Sequence, residues 1–306
     1  MKSVRFYITE RCNAKCNNCF NRNERNNSQM DIAKFEELCD FFSANGYVLL
    51  KVMGGEPTLH PQFKEMIEIA QSRFSQVNLF TNGISNALLD FTPRDTDNVI
   101  YNFKFCRVLN PEKLLLNRPG KRSLEIQVAI NMDSDRLLND ILRVSNFSNR
   151  KLNLFLTLNC KANIFKEREN VVPIYEKIWK TCTEMGLEIG QDHIAPLCYV
   201  SGSKIPIPQS GAKCHVDCAG LIDASYNIRF CNQYSDCLAN VFSNNGRLIT
   251  IQEYEALLSQ KFFQIQNLTK SKGCISCPMY KVYCNGGCFA AKDNITPNGI
   301  NNRKSI

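Results

Sequence analysis

The chain has 306 residues, 44% of them hydrophobic and 22% charged, with a formal net charge of +8 and 16 cysteines. That length can bury one large or two modest cores, and the composition is that of a globular protein, which excludes wholesale disorder. No apolar run reaches the length of a membrane-spanning helix, no signal peptide opens the chain, and the basic residues are scattered apart from 22–25, which speaks against membrane and nucleic acid as partners.

Cysteines this dense in a chain without a secretion signal point to a cytoplasmic protein that uses thiols as metal ligands, not to a disulfide scaffold. The first predicted strand, residues 4–8, runs directly into the loop RCNAKCNNCF, where three residues separate Cys12 from Cys16 and two separate Cys16 from Cys19. Three thiolates on one loop can hold three irons of a four-iron, four-sulfur cube and leave the fourth iron open to a small molecule. A structural zinc site is the alternative, but zinc usually takes four protein ligands, and no further cysteine or histidine lies near this loop.

After a polar loop, Asp31 is placed to cap a helix whose apolar positions are Ile32, Phe35, Leu38, Cys39 and Phe42. A second strand, 47–53, ends in Gly54, Gly55, Glu56 and Pro57. Pro61 suits the first position of a helix with Phe63, Met66, Ile67 and Ala70 on its buried face, and His60 belongs to that helix start rather than to proton transfer. A third strand, 77–80, is followed by Thr81, Asn82 and Gly83. Further strands are predicted at 98–105, 124–131 and 152–158 and helices at 111–116, 135–144 and 171–185, with 187–194 a candidate seventh strand. This alternation is that of a parallel sheet with crossover helices, an α/β fold. Reactive groups in such folds collect at the C-terminal ends of the strands, where Asn102, Asn131 and Asp133 add polar candidates.

The spacing of Cys12, Cys16 and Cys19, the GGEP turn at 54–57 and the TNG at 81–83 together resemble the radical S-adenosylmethionine (SAM) enzymes. The resemblance implies a partial (β/α)6 barrel over residues 1–200. It also implies a 4Fe-4S cluster on the three cysteines, whose open iron chelates SAM, and a 5′-deoxyadenosyl radical formed by one-electron cleavage. Gly54, Gly55, Glu56, Pro57, Thr81, Asn82, Asn102, Asn131 and Asp133 are then the SAM-binding candidates, with Asn131 at a position where relatives carry serine. Asn18 departs from the aromatic residue usual before the third cysteine.

From Pro196 the sequence is rich in Pro, Ser and Gly and reads as a linker into a cysteine-dense segment. Cys214, Cys218, Cys231 and Cys237 precede a helix at 251–263, and Cys274, Cys277, Cys284 and Cys288 follow it. The ending CISCPMYKVYCNGGC resembles the SPASM auxiliary-cluster domain, here 201–306. That resemblance implies one auxiliary cluster on Cys214, Cys218, Cys231 and Cys288 and a second on Cys274, Cys277 and Cys284. The family's final cysteine is missing and Cys277 to Cys284 is one residue longer than usual. Cys237 is the natural fourth ligand of the second cluster, an open iron the alternative. Zinc ribbons are the plainer alternative for CxxC pairs, with His215 inside CHVDC.

Of the other cysteines, Cys39 and Cys182 fall on apolar helical faces, Cys106 has no assigned role, and Cys160 and Cys198 follow strand ends. In radical epimerases a thiol at such a place returns a hydrogen atom to the substrate, a role open to Cys160. The resemblance implies hydrogen abstraction from a ribosomal peptide or protein, leading to crosslinking, oxidation or epimerisation. The first strand begins almost at residue 1, leaving no room for a small leader-binding domain, so leader recognition falls to a separate protein or is absent. The alternatives are a small-molecule dehydrogenase or epimerase acting on a sugar, aminoglycoside or similar metabolite, and a zinc- or iron–sulfur-binding interaction or electron-transfer protein. A low-potential donor such as flavodoxin or ferredoxin completes the expected partners.

Overall fold

The computed structural model describes residues 1–16, 19, 27–103, 118–128, 133–145, 152–158, 164–191, 220–232, 236–243, 245–268 and 278. The first half alternates strand and helix: β1 (Lys2–Thr9), α1 (Ile32–Ala44), β2 (Tyr47–Gly54), α2 (Phe63–Arg73), β3 (Gln76–Thr81), β4 (Asn98–Phe103) and β5 (Lys121–Val128). There follow α3 (Ser134–Ser145), β6 (Leu152–Leu158), α4 (Ile164–Glu184), β7 (Glu188–Gln191), the short strands β8 (Leu221–Ile222), β9 (Asn227–Arg229) and β10 (Cys237–Asn240), and α5 (Ile251–Leu268).

Among the described residues these strands form one open ten-stranded sheet in the order β10-β9-β8-β1-β2-β3-β4-β5-β6-β7. Strands β1 to β7 are parallel neighbours in sequence order. This is the α/β parallel-strand architecture of a partial barrel. The seventh strand is present, paired to β6 but only four residues long. At the other edge β8 pairs in parallel with β1, and β9 and β10 continue antiparallel.

Alternation along the strands separates two faces. Val4, Phe6 and Ile8 of β1, Leu50 and Val52 of β2, Val77 and Leu79 of β3, and Leu124 and Ile126 of β5 share one core with the helices. Residues between them on the opposite face are mostly polar, as with Arg5, Lys51, Asn78, Asn98 and Glu125. A small apolar group of Tyr7, Met53 and Leu221 with Phe80 interrupts that polar face. Parallel sheets are usually apolar on both faces, so a polar inner face marks a surface that meets something other than helices.

Helix α1 forms where expected because Asp31 accepts hydrogen bonds from the N–H groups of Ala33 and Lys34 and because Phe35, Leu38, Cys39 and Phe42 recur on one buried face. Phe42 meets Phe6, Tyr47 and Tyr254 edge-on at 5.7, 5.0 and 5.0 Å, each contact contributing about 1 kcal/mol beyond area burial. Tyr254 belongs to α5, so residues after the expected boundary at 200 pack into the same core as β1. The boundary itself and the predicted helix at 111–116 lie outside the described residues.

Several element boundaries differ from expectation, three of them at element starts. Pro61 lies in a turn before α2, which starts at Phe63, because His60 Nδ1 accepts the Gln62 N–H and sets that turn. Strand β5 begins three residues early, at Lys121, because backbone pairing with β4 outweighs the polar character of Lys121, Arg122 and Ser123. Helix α4 starts at Ile164 and runs through Pro173. Cys39 and Cys182 are buried core residues. Among the described residues no helix is long and apolar enough to cross a membrane.

Candidate functional site

The loop carrying Cys12, Cys16 and Cys19 leaves β1 and is clamped where it returns. Met30 N–H donates to Ile8 O and Glu10 N–H to Ser28 O, both at 2.8 Å, and Thr9 and Gln29 form an antiparallel bridge. The β8–β9 hairpin braces this return: Asp31 N–H donates to Tyr226 Oη at 2.9 Å, and Ser225 Oγ lies 3.4 Å from Ser28 Oγ. His60 supports the same neck, its Nε2 2.9 Å from Met30 O with Nδ1 taken by Gln62, and burial lowers its pKa. It sits at the helix start and not in the cleft.

The glycine turn presses directly on the other side of the loop. Gly55 N–H donates to Thr9 O at 2.8 Å and Glu56 N–H to Arg11 O at 2.7 Å. A Cβ on Gly54, whose φ is +155°, would meet Thr9 O at 2.3 Å, and one on Gly55 would meet Arg11 O at 2.2 Å. Only glycine allows β2 to come this close to the start of the cysteine loop.

Glu56 is 1% exposed and ties two strand ends together. Its Oε1 accepts from Thr58 Oγ1 at 2.6 Å, Thr58 N–H and Thr81 Oγ1 at 2.7 Å, and Oε2 accepts from Asn82 N–H at 2.7 Å. Burial pushes its carboxyl above the usual range, against the pull of the hydrogen bonds from Thr58, Asn82 and Thr81. Thr81 Oγ1 accepts the Gly83 N–H and Asn82 Oδ1 the Ile84 N–H, which fixes the turn after β3.

These pieces line one open cleft with about 50 Å³ of internal space. Its walls are Cys12, Ala14, Cys16, Cys19, Met53, Gly54, Gly55, Glu56, Phe80, Thr81, Asn82 and Asn102. The three thiols are half-buried along it, and among the described residues no three His, Cys, Asp or Glu side chains are grouped to hold a single ion. The cleft thus joins three motifs from three successive strand ends, with Asn102 from a fourth.

The remaining candidates lie elsewhere. Pro57 is buried and opens a short 3-10 turn. Asp133 is exposed and accepts the Arg136 N–H at the start of α3. Cys231 follows β9 and is half-buried, and Cys237 opens β10, exposed, in register with Arg229. Asn131, Cys160, Cys214, Cys218, Cys274, Cys277, Cys284 and Cys288 fall outside the described residues. Sequence reasoning missed Asn13, bonded to Asn82, and the apolar wall of Met53 and Phe80. Their places at strand ends beside the motifs were the available signal.

A partial parallel barrel with a thiol-lined cleft at the C-terminal ends of its strands is a framework that can hold a metal cofactor. Residues 6–97 match the model of the Radical SAM superfamily, and the chain carries a domain of that superfamily. It is similar to the probable GTP 3′,8-cyclase of Methanopyrus kandleri, 36% identical over 28% of this chain, a match covering only 27% of that relative's length. The probable GTP 3′,8-cyclase of Methanocella arvoryzae is 25% identical over 92% of this chain and 96% of its own. Among solved structures, Streptococcus suis SuiB bound to S-adenosylmethionine shares the fold with a TM-score of 0.65 at 12% identity, over 94% of this chain and 73% of that one. Native anSMEcpe with bound AdoMet and a peptide does so with a TM-score of 0.65 at 15% identity, over 97% and 91%.

Proposed function

We propose that this radical SAM enzyme acts on a ribosomal peptide or protein, abstracting hydrogen from an unactivated C–H bond. The observation that carries its chemistry is the shared cleft: three half-buried thiols face the glycine turn and the ends of β3 and β4. That donor set suits a four-iron cluster with one iron open to a ligand. Cys12, Cys16 and Cys19 would hold it, and Gly54, Gly55, Glu56, Thr81, Asn82 and Asn102 would surround SAM. A bound cluster supplies the single electron that cleaves the sulfonium. The protein's own part is to hold the cysteine loop against Gly54 and Gly55 and to present an apolar wall, Met53 and Phe80, beside the reacting groups.

The peptide substrate has support from fold neighbours described with peptides bound, SuiB with its precursor peptide SuiA and anSMEcpe with the Cp18Cys peptide. A second reading, a small-molecule substrate such as a purine nucleotide, has the near full-length likeness to a probable GTP 3′,8-cyclase in its favour. Residues 1–200 are the core barrel and 201–306 an auxiliary-cluster domain. Cys214, Cys218, Cys231 and Cys288 hold one auxiliary cluster; Cys274, Cys277, Cys284 and Cys237 hold the other. A low-potential flavodoxin or ferredoxin supplies electrons, and the thiol chemistry suits the cytoplasm.

Anaerobic protein incubated with SAM and dithionite is expected to form 5′-deoxyadenosine, and Cys12→Ala, Cys16→Ala or Cys19→Ala to abolish it. A protein that binds zinc and leaves SAM intact would overturn the assignment. Mass analysis of products from candidate precursor peptides and from GTP separates the two substrates: a modified peptide with untouched GTP supports the first, the reverse the second.

A further inference from the structure

We infer that Asn82 tunes the iron–sulfur cluster by donating a side-chain hydrogen bond to the thiolate of Cys12, an inference that rests on the cluster assignment above. Asn82 is held on three sides. Its backbone N–H is taken by Glu56 Oε2 at 2.7 Å, and its Oδ1 accepts the Ile84 N–H at 2.9 Å. A backbone N–H can only donate, so the oxygen of the amide must face Ile84 and the NH2 must face the other way.

That NH2 points at the cysteine loop. It lies 2.9 Å from Asn13 Oδ1 and 3.8 Å from Cys12 Sγ. The backbone N–H of Ala14 also donates to Cys12 Sγ, at 3.4 Å. The Ala14 contact comes from the shape of the loop itself; the Asn82 contact is made by a side chain from another strand end.

Hydrogen bonds to ligand sulfurs set the potential of an iron–sulfur centre, because N–H dipoles favour the more negative, reduced state. Asn82 brings one such donor to the thiolate without a charge, so it raises the potential and makes reduction easier. The residue is a positioning and tuning residue, not a catalytic one. Buried Glu56 is part of the device, since its carboxylate fixes the backbone on which the amide sits.

The test is a redox titration of the full-length anaerobic protein without SAM, followed by the electron paramagnetic resonance signal of the reduced cluster. Asn82→Ala is expected to lower the midpoint potential and Asn82→Asp to lower it further, because a carboxylate oxygen then faces the thiolate. Asn13→Ala removes the amide's other partner, keeps the donor to Cys12 and is expected to retain the native potential. Unshifted Asn82 variants overturn the inference, as does an Asn13→Ala shift as large as that of Asn82→Ala. Should the Asn82 variants not take up iron, pulsed resonance on native protein labelled with 15N in asparagine side chains decides. A coupled nitrogen that persists in Asn13→Ala supports the contact, and its absence overturns it. A native protein without a four-iron signal removes the cluster assignment and this inference together, whereas a native signal with unshifted variants removes the inference alone.

Discussion

Asp97 and Glu56 are both buried carboxylates, and each takes hold of one end of β3. Asp97 sits at the start, where its Oδ1 accepts the Val77 N–H at 2.8 Å. Arg94 closes the arrangement with its side chain at 2.9 Å and its own N–H at 2.9 Å, and Gln71 adds a bond at 2.8 Å. Glu56 sits at the other end, and among the described residues its hydrogen-bond partners are neutral: Thr58, Thr81 and Asn82. Burial raises the pKa of both, but for Asp97 the bonds from Arg94, Gln71 and Val77 more than offset it and hold the carboxyl below its usual range. The rim with the cation is built to be stable. The rim without one carries a strained carboxylate because the donors it gathers are those that shape the cleft.

The comparison breaks most visibly at Gly55. In Gly55→Ala the new methyl collides with Arg11 O and Glu10 O, at 2.2 and 2.5 Å. The cysteine loop is then displaced, and 5′-deoxyadenosine formation is expected to fall by roughly 100-fold or more, about 2.7 kcal/mol in barrel-mouth positioning. Activity and iron content measure it, and a variant with native iron and native turnover would refute the clamp. Next comes Asp97→Ala, which leaves Arg94 without its buried partner and is expected to cost about 3 kcal/mol of stability in urea unfolding. Iron per folded molecule should not change. Glu56→Gln should cost less stability, about 1–2 kcal/mol, because the amide NH2 confronts the Asn82 N–H. Its activity should fall more than that of Asp97→Asn.

The smallest effect is one of pH. Asp97 titrates below its usual 3.8, so the stability it contributes is complete above that value and is lost as pH falls through its native pKa. Glu56 titrates above its usual 4.5, so its ionisation favours unfolding, and that penalty sets in as pH rises from 4.5 through its native pKa. The advantage of the native chain over Asp97→Asn should therefore grow with rising pH, while its advantage over Glu56→Gln shrinks. Urea midpoints across the acid range check both slopes, and parallel slopes would count against the contrast.

Much of this was legible in the sequence. The loop with Cys12, the turn at Gly54 and the Thr81 step each follow an apolar run, so their meeting at one rim follows from strand polarity alone. Asp31 capping α1 and the core positions Phe35, Leu38, Cys39 and Phe42 were equally plain from local pattern. Arg122 was not: a buried arginine looks like surface until the carbonyls of Arg118, Pro119 and Lys121 are seen to receive its guanidinium. The Asn82 to Cys12 contact was hidden for the same reason, since side-chain direction between separate strand ends has no periodic signature. The docking of Tyr226 beside Asp31 joins residues far apart in the chain, and nothing local announces it.

That docking also bears on when the protein matures. β1 is made well before its edge partner: Arg5 and Phe6 pair with Leu221 and Ile222, which follow roughly 10–40 s later at ordinary elongation speeds. Until then the first strand has one bare edge and the return of the cysteine loop lacks its brace. A metal delivered before that hairpin is made would meet an unbraced cysteine loop.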